Sequence, residues 1–412
     1  MEPITVTHTQ MVAADTSFFP LVDLRAVSNS AHQWVALSLR LPPDGLPDAV
    51  VSATGQDALA AWLHAVFDSG DLLTAIAPLD CIVHLASPAP LHAALLAKLP
   101  PARVVFAIDA AALEVAGAAV ALARLQESGY RILIDGAAAQ LPANLRALAH
   151  DAATPLAPGP ALSALFGPHL AYQVHTPMLF EACSRAGFSW TSGRHALQAK
   201  PATAGAPADD GTTARRLLKL LGLLLADAET RDIETELKHD PALCFQLLRL
   251  VNSAAFALST PIHNFSQAID RLGRRQLLRW LQLLLYARPG LDGAANPLLP
   301  VAALRAAQIE SLCKQHGCER DAQDLSFQVG VFSLLDILLG MPMGDIVAAL
   351  HLPPDAAGAL LERSGVPGGQ LALVESTAPS AAALAAARVT PAQWWQSQLD
   401  GFHWAIQVSR NL

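Results

Sequence analysis

The chain has 412 residues, 52% of them hydrophobic, and a net charge of −8. That length allows two or three domains with a substantial buried core. The charge divides as −5 over residues 1–200 (10 Lys and Arg against 15 Asp and Glu) and −3 over residues 201–412 (17 against 20), so bulk charge makes neither half a basic nucleic-acid or membrane-surface binder.

The N-terminal run MEPITVTHTQ has no basic stretch followed by an apolar core, so no secretory signal is expected there. No uncharged apolar run reaches the roughly 20 residues that span a bilayer. Five cysteines in a chain of this size suit a reducing compartment better than a disulfide framework. The expectation is a cytoplasmic protein that needs no membrane.

Residues 1–200 read as strands alternating with helices. Trp34–Leu39, Cys81–Leu85, Val104–Ile108 and Arg131–Ile134 are short apolar strand candidates, and helical stretches lie near Asp57–Phe67, Leu91–Leu99 and Leu113–Glu127. Strands separated by helices of that length imply parallel pairing and an α/β sheet or barrel. The half is short for an eight-fold barrel, for which about 250 residues is typical, so missing elements are expected.

Several pieces of this half resemble an EAL domain, the barrel that hydrolyses cyclic di-GMP. They are Phe19-Pro-Leu-Val-Asp-Leu24, Trp34-Val-Ala-Leu37 at the place of the signature, Ile132-Leu-Ile-Asp-Gly136, Ala171-Tyr-Gln-Val174 and Arg185-Ala-Gly-Phe188. The resemblance implies divalent metals held by Glu, Asn and Asp oxygens. Here Val35 replaces the signature Glu, His84 stands at an Asn position, and Ala107 stands at a Glu position. Gly136 follows Asp135 where a second aspartate belongs, His175 takes a further acidic position, and Thr191-Ser192-Gly193 replaces a Gln-Gly pair. There is no Glu between residues 2 and 114 and no Lys between residues 98 and 200. The half is therefore read as a degenerate EAL-like domain with no catalytic residues, no metal and no cofactor. On that reading Asp135→Ala should leave cellular function nearly intact. Arg25, Arg40 and Arg103 are scattered cations here.

Residues 201–213, rich in Pro, Gly, Ala and Asp with no apolar period, have the composition of a linker. Residues 214–412 read as all-helical. Arg215–Leu225 is apolar at helical spacing. Asp240 is an N-cap residue followed by Pro241 at the first helical position, and Leu243, Leu247, Leu250 and Val251 then share one face. A second helix is expected over Phe265–Leu272, ended by Gly273, and a third carries Leu277, Leu278, Trp280, Leu281 and Leu284.

The run Asp240-Pro-Ala-Leu, Leu247 to Phe256, Pro261-Ile262, Gln267-Ala-Ile269, Leu272-Gly273 and Leu278-Arg-Trp280 resembles the HDOD domain of bacterial signalling proteins. Ala303-Leu-Arg-Ala306, Glu310, Gly330 to Asp336, Leu339-Gly340 and Pro342-Met343 continue it. The resemblance implies an all-helical fold related to HD phosphohydrolases but lacking their metal site. His239-Asp240 is accordingly read as a surface residue and an N-cap. Cys313-Lys-Gln-His-Gly-Cys318 lacks the second ligand pair of a structural zinc site, so it reads as a helix end near Gly317.

Arg271, Arg274, Arg275 and Arg279 form a basic cluster around Gly273 and are the interaction candidates. The cluster resembles a helix-turn-helix contact to DNA, but the acidic domain argues against nucleic acid and favours a patch facing a protein. Trp280, Trp394, Trp395 and Trp404 are read first as core. Pro391 opens a final amphipathic helix reaching toward Val408, expected to pack on the helical domain.

The resulting expectation is a degenerate EAL-type (β/α) barrel followed by an all-helical HDOD domain. Its implied role is a non-enzymatic bacterial regulator that binds protein partners in cyclic di-GMP signalling. A receptor that binds cyclic di-GMP without hydrolysis is the alternative. The oligomeric state is not legible.

Overall fold

The computed structural model describes residues 21–41, 55–68, 71–136, 144–156, 160–198, 212–226, 228–238, 267, 273–287, 295–376 and 378–411. The first half forms a closed eight-stranded barrel in chain order. Its strands are β1 (Asp23–Ser28), β2 (Trp34–Arg40), β3 (Asp80–Leu85), β4 (Val104–Asp109), β5 (Arg131–Asp135), β6 (Leu148–Asp151), β7 (Leu170–Tyr172) and β8 (Trp190–Thr191). Strands β2 to β8 pair in parallel, whereas β1 runs antiparallel to both of its neighbours.

All eight strands are present, so the shortness of this half falls on the crossovers. Helices α1 (Gly55–Phe67) and α2 (Asp71–Ala75) link β2 to β3. Helix α3 (Ala93–Leu96) has only four residues, and α4 (Ala118–Glu127) precedes β5. Between β6 and β7 the described residues hold a single 3₁₀ turn, Ala164–Phe166, while α5 (Pro177–Arg185) links β7 to β8.

Strand parity sorts the side chains into two layers. Leu37, Leu39, Cys81, Val83, Phe106 and Ile108 pack outward into one core with Trp62, Leu63 and Leu122 of the surrounding helices. Ala36, Ile82, Val105, Ala107 and Leu133 pack inside the barrel. Burial on both faces explains why these strands read as near-continuous apolar runs rather than alternating ones.

The second half is helical: α6 (Thr212–Leu225), α7 (Thr230–Lys238), α8 (Arg274–Leu284), α9 (Leu298–Gln315), α10 (Arg320–Phe332) and α11 (Leu335–Leu339). It continues with α12 (Met343–Leu350), α13 (Pro354–Glu362), α14 (Gly365–Glu375), α15 (Ala381–Ala386) and α16 (Pro391–Asn411). The expected third HDOD helix is α8. The expected helix after Asp240 lies outside the described residues, as does most of the one over Phe265–Leu272. Helix α9 is the axis of the domain, with Ala302, Ala303, Ala306, Ile309 and Leu312 all fully buried. Cys313, at its end, is buried as a free thiol pushed up to about 11 by burial, and Gly317 follows with φ of +76°, as a helix terminus requires.

Helix α16 departs from expectation. It packs along α9 and places Ala405 and Val408 in the helical core, as the sequence suggests. Its other face carries Trp395, Leu399, Phe402 and Ile406 into the outer core of the barrel. His403 Nδ1 also lies 3.2 Å from the Ala75 carbonyl at the end of α2. An amphipathic stripe of one face suffices for one neighbour; here two faces are apolar, and the helix joins the domains. Trp280 and Trp394 are buried as well.

Candidate functional site

Strand parity also builds the site. In the parallel strands β2, β3, β5 and β7, the last inward positions are Arg40, His84, Asp135 and Tyr172, which places them together at the C-terminal mouth, where (β/α) barrels carry their chemistry. The register sets Asp109 beside Asp135 and Asp151 beside Tyr172. Asp23, on antiparallel β1, faces Arg40.

Asp135 is the hub. Tyr172 donates its hydroxyl to Asp135 Oδ1 at 2.9 Å, and His84 Nδ1 lies 3.3 Å from Oδ2. Arg40 Nη2 lies 3.5 Å from the same oxygen, and its Cζ sits 3.7 Å above the Tyr172 ring. Ser38 Oγ is 2.9 Å from His84 Nε2. Burial, followed by the Arg40 charge, pushes the His84 imidazole below its ordinary pKa, although Asp135 opposes this. A neutral imidazole has one N–H, so Nδ1 donates to the carboxylate and Nε2 accepts from Ser38. Burial raises Asp135, but His84, Tyr172 and Arg40 together outweigh it and hold the carboxyl below its usual range. Tyr172 is pushed up to about 12, first by burial and then by the Asp135 charge, and stays a donor.

The order Ser38–His84–Asp135 is that of a nucleophile relay. A nucleophile must meet its substrate, and Ser38 is only 3% exposed. The cavity of about 340 Å³ at the mouth is lined by Arg40, His84, Asp109 and Asp135 but not by Ser38. Ser38 therefore anchors His84 from below.

The divalent metals implied by the EAL resemblance do not fit these residues. Each carboxylate at the strand ends is already engaged. Asp109 accepts from Ala111 N at 2.9 Å. Asp151 accepts from Ala153 N and Gln173 Nε2, both at 2.9 Å. Asp23 pairs with Arg25 at 2.6 Å. Both oxygens of Asp135 are taken, with the Arg40 cation beside one of them. Among the described residues no three His, Cys, Asp or Glu side chains are grouped to hold an ion.

Thr191, Ser192 and Gly193 serve the wall. The β1–β8 seam has one register pair, Ser28 with Thr191. Ser192 Oγ reinforces it by donating to the Ala26 carbonyl at 2.8 Å. A Cβ at Gly193 would collide with the Val174 carbonyl, so the chain passes there only as glycine. His175, at the other substituted acidic position, buries Nδ1 without a hydrogen bond.

The basic cluster is divided. Arg271 lies outside the described residues. Arg274 opens α8, with its side chain outside them. Arg275 pairs with Asp324 at 2.5 Å and remains 42% exposed. Arg279 grips Glu310 through both terminal nitrogens, reaches Asp324 at 2.9 Å, and lies over Phe327 with its Cζ 4.5 Å from the ring centre. Its side chain is 17% exposed, so it braces α8 against α9 and α10. His239 and Asp240 lie outside the described residues. Arg103 is structural, donating to the Leu73 and Leu79 carbonyls.

Sequence reading singled out Asp135 and His84 but passed over Ser38 and Tyr172 and left Arg40 among scattered cations. The signal was two-residue parity: 38 and 40, 84, 135 and 172 all fall on the inward positions of their strands.

Residues 212–287 match the HDOD domain model. An uncharacterized protein of Bacillus subtilis (strain 168), YuxH, is 30% identical over 128 residues, which are 30% of this chain and 31% of that protein. The Vibrio cholerae protein named cyclic di-GMP phosphodiesterase CdgJ is 32% identical over 143 residues, 35% of this chain and 33% of that one. The matched stretches thus span about a third of these relatives. Among solved structures, Klebsiella pneumoniae BlrP1 in its manganese and cyclic di-GMP complex at pH 6 is 15% identical with a TM-score of 0.33, over 42% of this chain and 54% of that one. The Pseudomonas aeruginosa FimX EAL domain bound to cyclic di-GMP is 19% identical with a TM-score of 0.29, over 44% and 90%. Residues 212–287 are an HDOD domain, and a closed eight-stranded barrel precedes it in the chain.

Proposed function

We propose that this chain is a non-enzymatic regulator in cyclic di-GMP signalling, acting by binding protein partners. The observation that carries this reading is Asp135. Its two oxygens are held by Tyr172, His84 and Arg40, an arrangement that keeps the carboxylate charged and occupied, while the neighbouring Asp109 caps the turn after its own strand by accepting from Ala111 N. With no further carboxylate among the described residues lining the mouth cavity, the pair falls short of a two-metal clamp. The name of the Vibrio relative supports the pathway and describes that protein's own activity. The HDOD domain, with Arg275 partly exposed on α8, is the partner-facing candidate.

The receptor reading has one observation in its favour. Arg40 Nη2 is paired with Asp135 only at 3.5 Å and makes no hydrogen bond there, so a phosphate oxygen at the mouth could accept from it. A single experiment separates the readings. Purified full-length protein is incubated with cyclic di-GMP and magnesium or manganese, with hydrolysis followed by chromatography and binding by calorimetry. The scaffold reading expects neither. Binding alone selects the receptor, and metal-dependent turnover overturns both.

A further inference from the structure

A second cavity, of about 180 Å³, lies where the β1–β8 seam meets the helical domain. Its walls come from both halves: Arg25 and Ser28 of β1, the segment after β8 from Thr191 to Leu197, and helices α9, α14 and α16. Its lining includes three guanidinium-bearing residues, Arg25, Arg194 and Arg305, and one acidic residue, Glu375.

Among the described residues one carboxylate at this cavity faces two guanidinium groups. Asp23 answers Arg25. Glu375 must answer two cations: Arg305 Nη1 at 3.3 Å and Arg363 Nε at 2.7 Å. Arg194 donates to the main-chain carbonyl of Glu375 at 2.6 Å. Arg305 is 7% exposed, and among the described residues its other hydrogen bond runs from Nη1 to Ser333 Oγ at 2.9 Å. A buried guanidinium sharing one carboxylate is short of acceptors.

Polar atoms without hydrogen bonds belong to residues around the same space. His175 Nδ1, His195 Nδ1 and Gln398 Oε1 are buried without hydrogen bonds, and all three residues line the cavity. An imidazole nitrogen can carry its proton on that side, and an amide can turn to present its NH₂. Buried polar atoms normally find partners, and an acceptor-rich molecule would offer them to the two imidazole nitrogens. The volume is close to the roughly 150 Å³ of a cavity that holds benzene, far too small for a dinucleotide.

We infer that this interdomain cavity binds a small anion bearing phosphate or carboxylate groups. The ligand ties β1 and β8 to α9, α14 and α16, so its occupancy sets how firmly the barrel is held to the HDOD side.

The test is calorimetric titration of the full chain with inorganic phosphate and, separately, with succinate, at ionic strength fixed by chloride. Saturable binding of either anion is expected, weakened at least tenfold in Arg305→Gln and in Arg194→Gln. Binding of phosphate alone assigns a phosphate-bearing ligand, and binding of succinate alone a carboxylate. If Arg305→Gln does not fold, the more exposed Arg194→Gln decides. No saturable binding of either anion, or unchanged affinity in the folded variants, overturns the inference.

Discussion

The Tyr172 hydroxyl donates to Asp135 at 2.9 Å while the Arg40 guanidinium lies on the face of the same ring. One side chain thus serves as a donor along its edge and a π-face for a cation, and it joins β7 to β5 and β2 across the barrel mouth. In sequence, Asp135 looked expendable because its metal partners were gone. In the structure it is the common acceptor of a buried network. Asp135→Ala would strand the His84 N–H and the Tyr172 hydroxyl, so a loss of about 3–5 kcal/mol is expected. Tyr172→Phe should lose about 1–3 kcal/mol. Urea denaturation measures both, and an Asp135→Ala protein as stable as wild type would remove the network from the account.

Arg275 and Arg279 are one helical turn apart and should behave differently. Arg279 is bound to two carboxylates and stacked on Phe327, so Arg279→Ala leaves a part-buried Glu310 unanswered and should cost about 2–4 kcal/mol. Arg275 is a surface ion pair, and Arg275→Ala should cost less than about 1 kcal/mol. If α8 is the partner face, changing Arg274 and Arg275 to Glu weakens capture of a partner while the melting temperature falls by only a few degrees, because Arg275 gives up a surface ion pair with Asp324. Equal destabilisation by Arg275→Ala and Arg279→Ala would contradict this division.

Much of this was legible from the chain. The strands at Trp34, Cys81, Val104 and Arg131 were visible because burial on both faces leaves long apolar runs. Strands β6, β7 and β8, of four, three and two residues, are too short to carry a period. The HDOD-like motif residues prove to be joints of the helical packing. Arg305 bonds Ser333, Glu310 answers Arg279, and Gly330 lets α10 cross so close to Ala306 of α9 that a Cβ would strike its backbone. Gly340 takes the left-handed conformation that ends α11. The site was harder to read, because its members are one residue per strand, separated by crossovers that carry no fixed spacing. The second partner of α16 was hidden for a related reason: the spacing of apolar residues marks an amphipathic helix but not how many neighbours it meets.

Acid should loosen the barrel wall. His195 stacks on Phe180 with ring centres 4.5 Å apart. Burial, with the nearby His32 as a second cause, pushes its pKa down from 6.5 to about 4. The unfolded chain then takes up the proton first, so stability falls as pH drops below 6.5 and this contribution levels off near pH 4. The full effect is at most about 3 kcal/mol. His84 and His175 are shifted in the same direction by burial. His195→Phe keeps the stacking and removes the titration, so its denaturation midpoint should vary less between pH 6.5 and 4. An identical pH profile for wild type and His195→Phe would place the acid sensitivity elsewhere.

Phe402 tests whether the two domains are one cooperative unit. It is 3% exposed, sits in the barrel-side core, and lies 5.7 Å from the Trp34 ring at the start of β2. One helical turn on, Ala405 belongs to the helical core. Phe402→Ala should cost about 3–5 kcal/mol through lost contact and the cavity left behind. Because α16 is shared, hydrogen exchange should quicken both in β2 and in α9, not in the barrel alone. Exchange that quickens only in β2 would mean that α16 stabilises the barrel without coupling it to the HDOD side. In that case a ligand in the seam cavity could not act through this helix either.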